Sequence, residues 1–251
     1  SDIVIDNTTI RDGREVSIRG NSGYSSITVT NFTLDNISYA SVEGGNFYYS
    51  CNGDWRDEVS IIRTGLYIDN AVYMSTTNWN CNNYRSMFDG WNYEQSDVRL
   101  RASSAWNTPT SSNPAWFGGT FTDTSVELFA NSGWSGPLML SGSTFDATGT
   151  PTATAWPYSQ YSSNRGTAFV NADSSSYGKW TVSNNSFAPT NGWTGIEYTY
   201  GVGHMSAPYN WWGTNSVSAI DNLIEDMLDN NGGGWVNYSP FYTSAAMNQL
   251  D

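Results

Sequence analysis

The segments LMLSGSTF (138–145) and WTVSNNSF (180–187) share one pattern, in which a short apolar run leads through a polar turn to phenylalanine. Similar segments recur along the chain at intervals of 24 to 32 residues, with one longer interval of 42. A regular period of this length is typical of a protein built from stacked repeats. The last apolar residues of the eight segments are Ile10, Leu34, Leu66, Trp91, Phe121, Phe145, Phe187 and Trp212.

A second series of alternating strands follows the first, each strand after a turn rich in Asp, Asn and Ser. These residue types favour turns because they bond their own backbone or tolerate a left-handed conformation. One interval is again long, which predicts a surface-loop insertion at about residues 147–165. The strands of this series begin at Val16, Val42, Val72, Val98, Val126, Phe169 and Ile196.

Two-residue alternation combined with a repeat near 25 residues predicts a right-handed parallel β-helix of about eight coils. A β-sandwich of short strands is the alternative. We expect the coils to span residues 1–213. Residues 214–251 are expected to add a short capping helix and a closing strand to the same domain. Asn215 or Ser216 is the expected N-cap, and the apolar positions of the helix run from Val217 to Leu228.

The C-terminal segments NWWGT (210–214) and VNYSPF (236–241) carry a family resemblance. Their order resembles the terminal signature of right-handed parallel β-helix proteins, the pectate-lyase-like and NosD-like surface and secreted proteins. The resemblance implies a final coil, a short helix and a closing strand. It implies no particular activity, because lyases, hydrolases, adhesins and inert spacers share this fold.

The charge and composition of the chain argue against nucleic-acid binding, membrane insertion and disorder. The chain has 10 Lys and Arg against 23 Asp and Glu, a formal net charge of -13. A nucleic-acid partner is not expected, because phosphate neutralisation requires a basic surface. Membrane insertion is not expected either, because no apolar run reaches the roughly 18 residues that a spanning helix needs. The 15% of aromatic residues argues against a disordered chain.

The two cysteines occupy equivalent positions in the predicted repeat. Cys51 follows Val42 by nine residues, and Cys81 follows Val72 by nine. Neighbouring strands lie about 4.8 Å apart, within the Cα separation of about 4.4–6.8 Å that a disulfide accepts. The spacing predicts a Cys51–Cys81 disulfide and therefore an oxidising, extracellular compartment. The alternative is a pair of free thiols in a reducing cell.

Charged side chains are expected on the outer face of the second series. Arg99, Arg101, Glu127, Glu43 and Tyr73 are predicted to share this face. In a polysaccharide lyase Arg99 or Arg101 would act as base. In a glycoside hydrolase, carboxylates one or two coils apart would have the separations that such enzymes use. The structural alternative is a cross-strand ion pair between Arg99 and Glu127.

Acidic residues also recur in the turns. Asp69, Glu94 and Asp123 are the candidate ligands for calcium, which prefers oxygen donors. The alternative is that Asp favours these turns for backbone reasons alone.

Tryptophans form a third candidate site. Trp79, Trp106 and Trp134 lie seven or eight residues after successive strand starts, so they can form a row over three coils. Exposed, such a row would present a flat platform for sugar rings together with Tyr73 and Trp55. The alternative is an interior stack. His204, the single histidine, is expected to be a packed or surface residue.

The function predicted from the sequence is an extracellular, non-catalytic module that binds polysaccharide or another cell-surface component, or that serves as a spacer. The alternatives are a polysaccharide lyase or glycoside hydrolase of the same fold, and a viral tailspike or receptor-binding fragment. No cofactor is expected apart from the possible calcium. The N-terminal end has no predicted cap, so neighbouring domains or protomers are expected to contact it.

Overall fold

The structure is a computed structural model that describes residues 3–19, 27–43, 53–54, 60–62, 65–69, 91–102, 116–130, 138–151, 167–172, 180–198, 203–229 and 234–251. Within these residues the fold is all-β, with three sheets and one short helix. All strand pairings within the three sheets are parallel. The prediction of an all-β chain is therefore confirmed.

The first and second sheets collect strands from most of the described chain, whereas the strands of the third sheet begin at residue 116. The first sheet contains β1 (Ile3–Arg11), β3 (Ile27–Asp35), β5 (Gly53–Asp54), β6 (Ser60–Ile62), β8 (Asn92–Glu94), β11 (Thr120–Thr122), β14 (Thr144–Asp146) and β17 (Ser186–Ala188). The second contains β2 (Glu15–Arg19), β4 (Tyr39–Glu43), β7 (Gly65–Asp69), β9 (Asp97–Ala102), β12 (Ser125–Ala130), β15 (Ala168–Ala172), β18 (Thr194–Tyr198) and β20 (Ile224–Glu225). The third contains β10 (Trp116–Phe117), β13 (Leu138–Ser141), β16 (Trp180–Ser183), β19 (His204–Ser206) and β21 (Trp235–Asn237).

The chain visits the sheets in a fixed order. From residue 116 to residue 198 it passes through the third, first and second sheets three times in succession. The repeated segments LMLSGSTF and WTVSNNSF are therefore two strands each, whereas the segments at residues 3–10 and 27–34 lie within the single strands β1 and β3. LMLSGSTF divides into β13 and β14 at Gly142 (φ 68°), and WTVSNNSF divides into β16 and β17 at Asn184 (φ 56°). Gly and Asn suit these corners because they tolerate positive φ better than other residues do.

The core between the sheets is a stack of aromatic rings. Phe145 is fully buried, and its ring centroid lies 4.7 Å from those of Phe121 and Phe187. Tyr93 extends the stack at 4.4 Å from Phe121, and Trp212 extends it at 4.8 Å from Phe187. Parallel register places like side chains directly above one another, so β8, β11, β14 and β17 each add one ring to the stack.

Buried polar side chains form a second ladder beside the rings. Asn210 Oδ1 accepts from the backbone N–H of Asn185 at 2.9 Å, and Asn185 Oδ1 accepts from the N–H of Ser143 at 2.9 Å. Ser143 Oγ accepts from the N–H of Gly119 at 3.3 Å. These side chains bond the backbone N–H groups just after the corners between the third and first sheets, which would otherwise be buried without partners.

The register differs from the predicted series at two places in the first sheet. Leu34 pairs with Ile61, not with Leu66, and Ile61 pairs with Tyr93, not with Trp91. Leu66 lies instead in the second sheet, opposite Ala40 and Val98. Trp91 is buried two residues before Tyr93, and alternation directs both residues inward, so sequence alone did not distinguish them.

The second sheet differs similarly. Ala40 takes the position that the sequence assigned to Val42, because Val16 pairs with Ala40. Val42 pairs with Ile68, while Val72 lies outside the described residues. Val126 pairs with Val170, not with Phe169, whose ring packs against Trp193 at 4.7 Å.

The C-terminal segment contains less helix than predicted. Helix α1 spans only Val217–Asp221, with Ser216 at the predicted N-cap position. The apolar pattern continues into β20, where Ile224 pairs with Ile196 and is buried. Met227 and Leu228 are 42% and 72% exposed, so the helical face expected there is absent. Strand pairing with β18 has overridden the helical periodicity. Most of the predicted loop at 147–165 lies outside the described residues.

Candidate functional site

A row of mostly polar residues runs across the second sheet in register, one residue from each strand. Arg99 and Glu127 are direct register partners, as the sequence predicted. Glu43 is not in this row, because it pairs with Arg19 and Asp69, and Asp69 pairs with Arg101. The two-residue shift that placed Ala40 at the predicted position of Val42 explains this correction. The polar row consists of Ser17, Ser41, Tyr67, Arg99, Glu127, Asn171, Glu197 and Glu225.

The three predicted calcium ligands do not share one row. Asp69 belongs to the second sheet, whereas Glu94 is the last residue of β8 in the first sheet. Asp123 lies at the corner after β11, with φ 47°. The part of the chain that the structure describes contains no group of three or more His, Cys, Asp or Glu able to hold a metal ion.

The carboxylate of Asp123 accepts hydrogen bonds from the segment that follows β14. Its Oδ1 accepts from the backbone N–H groups of Thr148 and Gly149, at 2.8 and 2.9 Å, and its Oδ2 accepts from Thr148 Oγ1. Partial burial acts to raise the pKa of Asp123, but these hydrogen bonds outweigh it and hold the pKa below its ordinary value. The carboxylate therefore fixes the beginning of the segment after β14.

Glu197 is the most perturbed carboxyl among the described residues. It is only 7% exposed, and its Oε2 is buried without a hydrogen-bond partner. Its register partners are Asn171 on one side and Glu225 on the other. Burial, with a smaller contribution from the charge of Glu225, raises the pKa of Glu197 to about 7.

This perturbation predicts a pH-dependent stability. Between the ordinary pKa of 4.5 and the folded value of about 7, the folded chain holds a proton on Glu197 that the unfolded chain releases. The contribution of Glu197 to the free energy of unfolding is therefore most favourable below about pH 4.5. It falls by about 1–3 kcal/mol as the pH rises to 7. Urea unfolding in EDTA should show this loss in the wild type. Glu197→Gln should lack it, and exposed Glu94→Gln should retain it; an unchanged loss in Glu197→Gln would contradict the assignment.

The aromatic residues and cysteines singled out from the sequence lie outside the described residues. These are Tyr73, Trp79, Trp106, Trp134, Trp55, Cys51 and Cys81. The corrected register removes the spacing argument for the disulfide. Glu43 and Asp69 are partners in register, and Cys51 and Cys81 follow them by eight and twelve residues respectively. The disulfide stays a prediction.

An exposed aromatic pair lies on the outer face of the third sheet. Trp235 is 43% exposed, and its ring stacks on exposed His204 with centroids 5.4 Å apart and 27° between the planes. The two residues are direct register partners on β21 and β19. Two positions further along the same strands, Ser206 and Asn237 pair on the same face. We call these four residues the aromatic platform.

The start of β21 is fixed by close packing at Gly234. A Cβ at this position would collide with the backbone oxygen of Gly203 and would lie 2.6 Å from the ring of Tyr198. Only glycine fits here, and the following residue, Trp235, donates its N–H to Gly203 O at 2.9 Å. The aromatic platform was not predicted from the sequence, although the alternation in WVN (235–237) indicates an outward Trp and Asn.

Comparisons with protein families, curated proteins and solved structures found no significant match. No helix within the described residues is long and apolar enough to cross a membrane.

Proposed function

We propose that the chain is a right-handed parallel β-helix that acts as an extracellular, non-catalytic module binding polysaccharide. The architecture is supported by the three parallel sheets that the chain visits in a fixed order. Right-handed crossovers are strongly preferred between parallel strands of one sheet. The resemblance of NWWGT (210–214) and VNYSPF (236–241) to the terminal signature of secreted β-helix proteins supports the location.

The aromatic platform carries the binding proposal. Sugar rings present C–H faces that pack on aromatic rings, while their hydroxyl groups need donors and acceptors beside the ring. Trp235 and His204 supply the aromatic surface, and Ser206 and Asn237 supply a hydroxyl and an amide on the same face. A net charge of -13 opposes polyanions, so the preferred ligand is an uncharged polysaccharide.

The non-catalytic part of the proposal is supported by the register of two of the catalytic candidates. Arg99 and Glu127 are direct register neighbours, an arrangement that favours a cross-strand pair.

A binding screen combined with a turnover assay tests this function. The full chain should bind uncharged oligosaccharides on a glycan array and should release no new reducing ends from the same glycans. Release of reducing ends or unsaturated products that is lost in Arg99→Ala or Glu127→Ala would favour the hydrolase or lyase instead. Absence of binding to every glycan would reject the module and leave a spacer.

A further inference from the structure

Glu197 and Glu225 occupy the last two positions of the polar row, away from the aromatic platform on the third sheet. They are direct partners on parallel strands β18 and β20, whose backbones lie about 4.8 Å apart. Glu197 is 7% exposed with Oε2 unpartnered, and Glu225 is exposed. Among the described residues, neither carboxylate forms an ion pair with Lys, Arg or His.

Asn171, the register partner of Glu197 on β15, offers a third oxygen. Its Nδ2 donates to Ser125 Oγ at 2.8 Å and to Ala168 O at 3.2 Å, which fixes the amide group. The amide oxygen is then the atom that remains to accept or coordinate. A buried carboxylate without a donor is costly, and a bound cation would remove that cost.

We propose that Glu197 and Glu225, with the amide oxygen of Asn171, bind a hard divalent cation of the calcium type. Calcium binds oxygen at about 2.3–2.6 Å, so two oxygens on opposite sides of the ion lie about 4.8 Å apart, the separation of neighbouring strands. Calcium tolerates the irregular ligand set that one sheet face provides, whereas magnesium requires near-octahedral geometry. This site is separate from Asp69, Glu94 and Asp123, the calcium ligands predicted from the sequence.

The test uses the full chain after treatment with EDTA and dialysis. Calorimetric titration with calcium chloride should give one saturable site. Thermal unfolding at a hundred-fold excess over the Kd should show a Tm about 5–10 °C higher than without calcium. Glu197→Gln and Glu225→Gln should lose both responses, because each removes a charged ligand without changing side-chain shape. Glu94→Gln should keep both.

Three results would overturn the proposal. The first is no saturable heat in the wild type. The second is an undiminished calcium response in both Glu197→Gln and Glu225→Gln, which would place the ion elsewhere. The third is a Tm that rises on acidification with no response to calcium, which would assign the Glu197–Glu225 pair to a shared proton. Glycan binding is measured independently, so failure of the calcium site leaves the platform proposal intact.

Discussion

Phe145→Ala is expected to lower the free energy of unfolding by about 3–5 kcal/mol. Phe145 is fully buried, stacks on Phe121 and Phe187, and also packs against Phe169 at 5.7 Å. Truncation removes the ring's transfer free energy, leaves a cavity and interrupts the stack on both sides. Equilibrium urea unfolding followed by tryptophan fluorescence would measure the change.

Two further variants show whether this loss comes from the interior stack. Phe145→Leu keeps much of the apolar volume and should cost less than Phe145→Ala. Leu228→Ala removes an apolar side chain that is 72% exposed and should change the free energy of unfolding by less than about 0.5 kcal/mol. Equal losses in Phe145→Ala and Leu228→Ala would show that the aromatic stack is not the core.

Asn210→Ala is expected to cost about 3–5 kcal/mol, although it removes no apolar surface. Asn210 Oδ1 accepts from the N–H and Nδ2 of Asn185, and its Nδ2 donates to Val182 O and Ala207 O at 2.7 and 2.9 Å. All four hydrogen bonds are buried. The backbone groups that lose their partner in the variant therefore cannot bond to water instead. Urea unfolding at pH 7 measures the loss.

The acid variant separates hydrogen bonding from side-chain volume. Asn210→Asp has the same shape but places carboxylate oxygen against two carbonyl oxygens, so it should be strongly destabilised at pH 7. Acidification should restore part of the stability, because a protonated carboxyl can donate one bond. Exposed Asn215→Ala should be nearly neutral. Wild-type stability in Asn210→Ala would show that the ladder does not support the corners.

The strand content and the interior ring positions could be predicted from sequence where the repeat was regular. Phe121, Phe145, Phe187 and Trp212 were predicted as equivalent residues, and the structure aligns them. Only two residues separate β6 in the first sheet from β7 in the second sheet. The sequence SIIRTGL (60–66) therefore reads as one segment and does not show where one sheet ends and the next begins. Leu66 was consequently assigned to the wrong series.

The candidate site was less predictable. Strand alternation predicted that Arg99 and Glu127 are cross-strand neighbours, and their register agrees. Strand alternation does not predict how much of a side chain is exposed to solvent. The burial of Glu197 depends on the tertiary packing around it, which the sequence pattern does not show. Trp235 directly precedes the predicted closing strand at 236–241 and so was not considered as part of a ligand-binding surface.

The affinity of Trp235→Ala for an oligosaccharide selected on the array tests the binding proposal most directly. The proposal predicts that this variant binds at least about ten-fold more weakly than wild type, because packing of a ligand ring on one aromatic side chain contributes on the order of 1–3 kcal/mol by analogy with other ring ligands. Met227→Ala, which truncates an apolar side chain of matching exposure, should bind as wild type does. Undiminished affinity in a folded Trp235→Ala variant would contradict the aromatic platform as the glycan site.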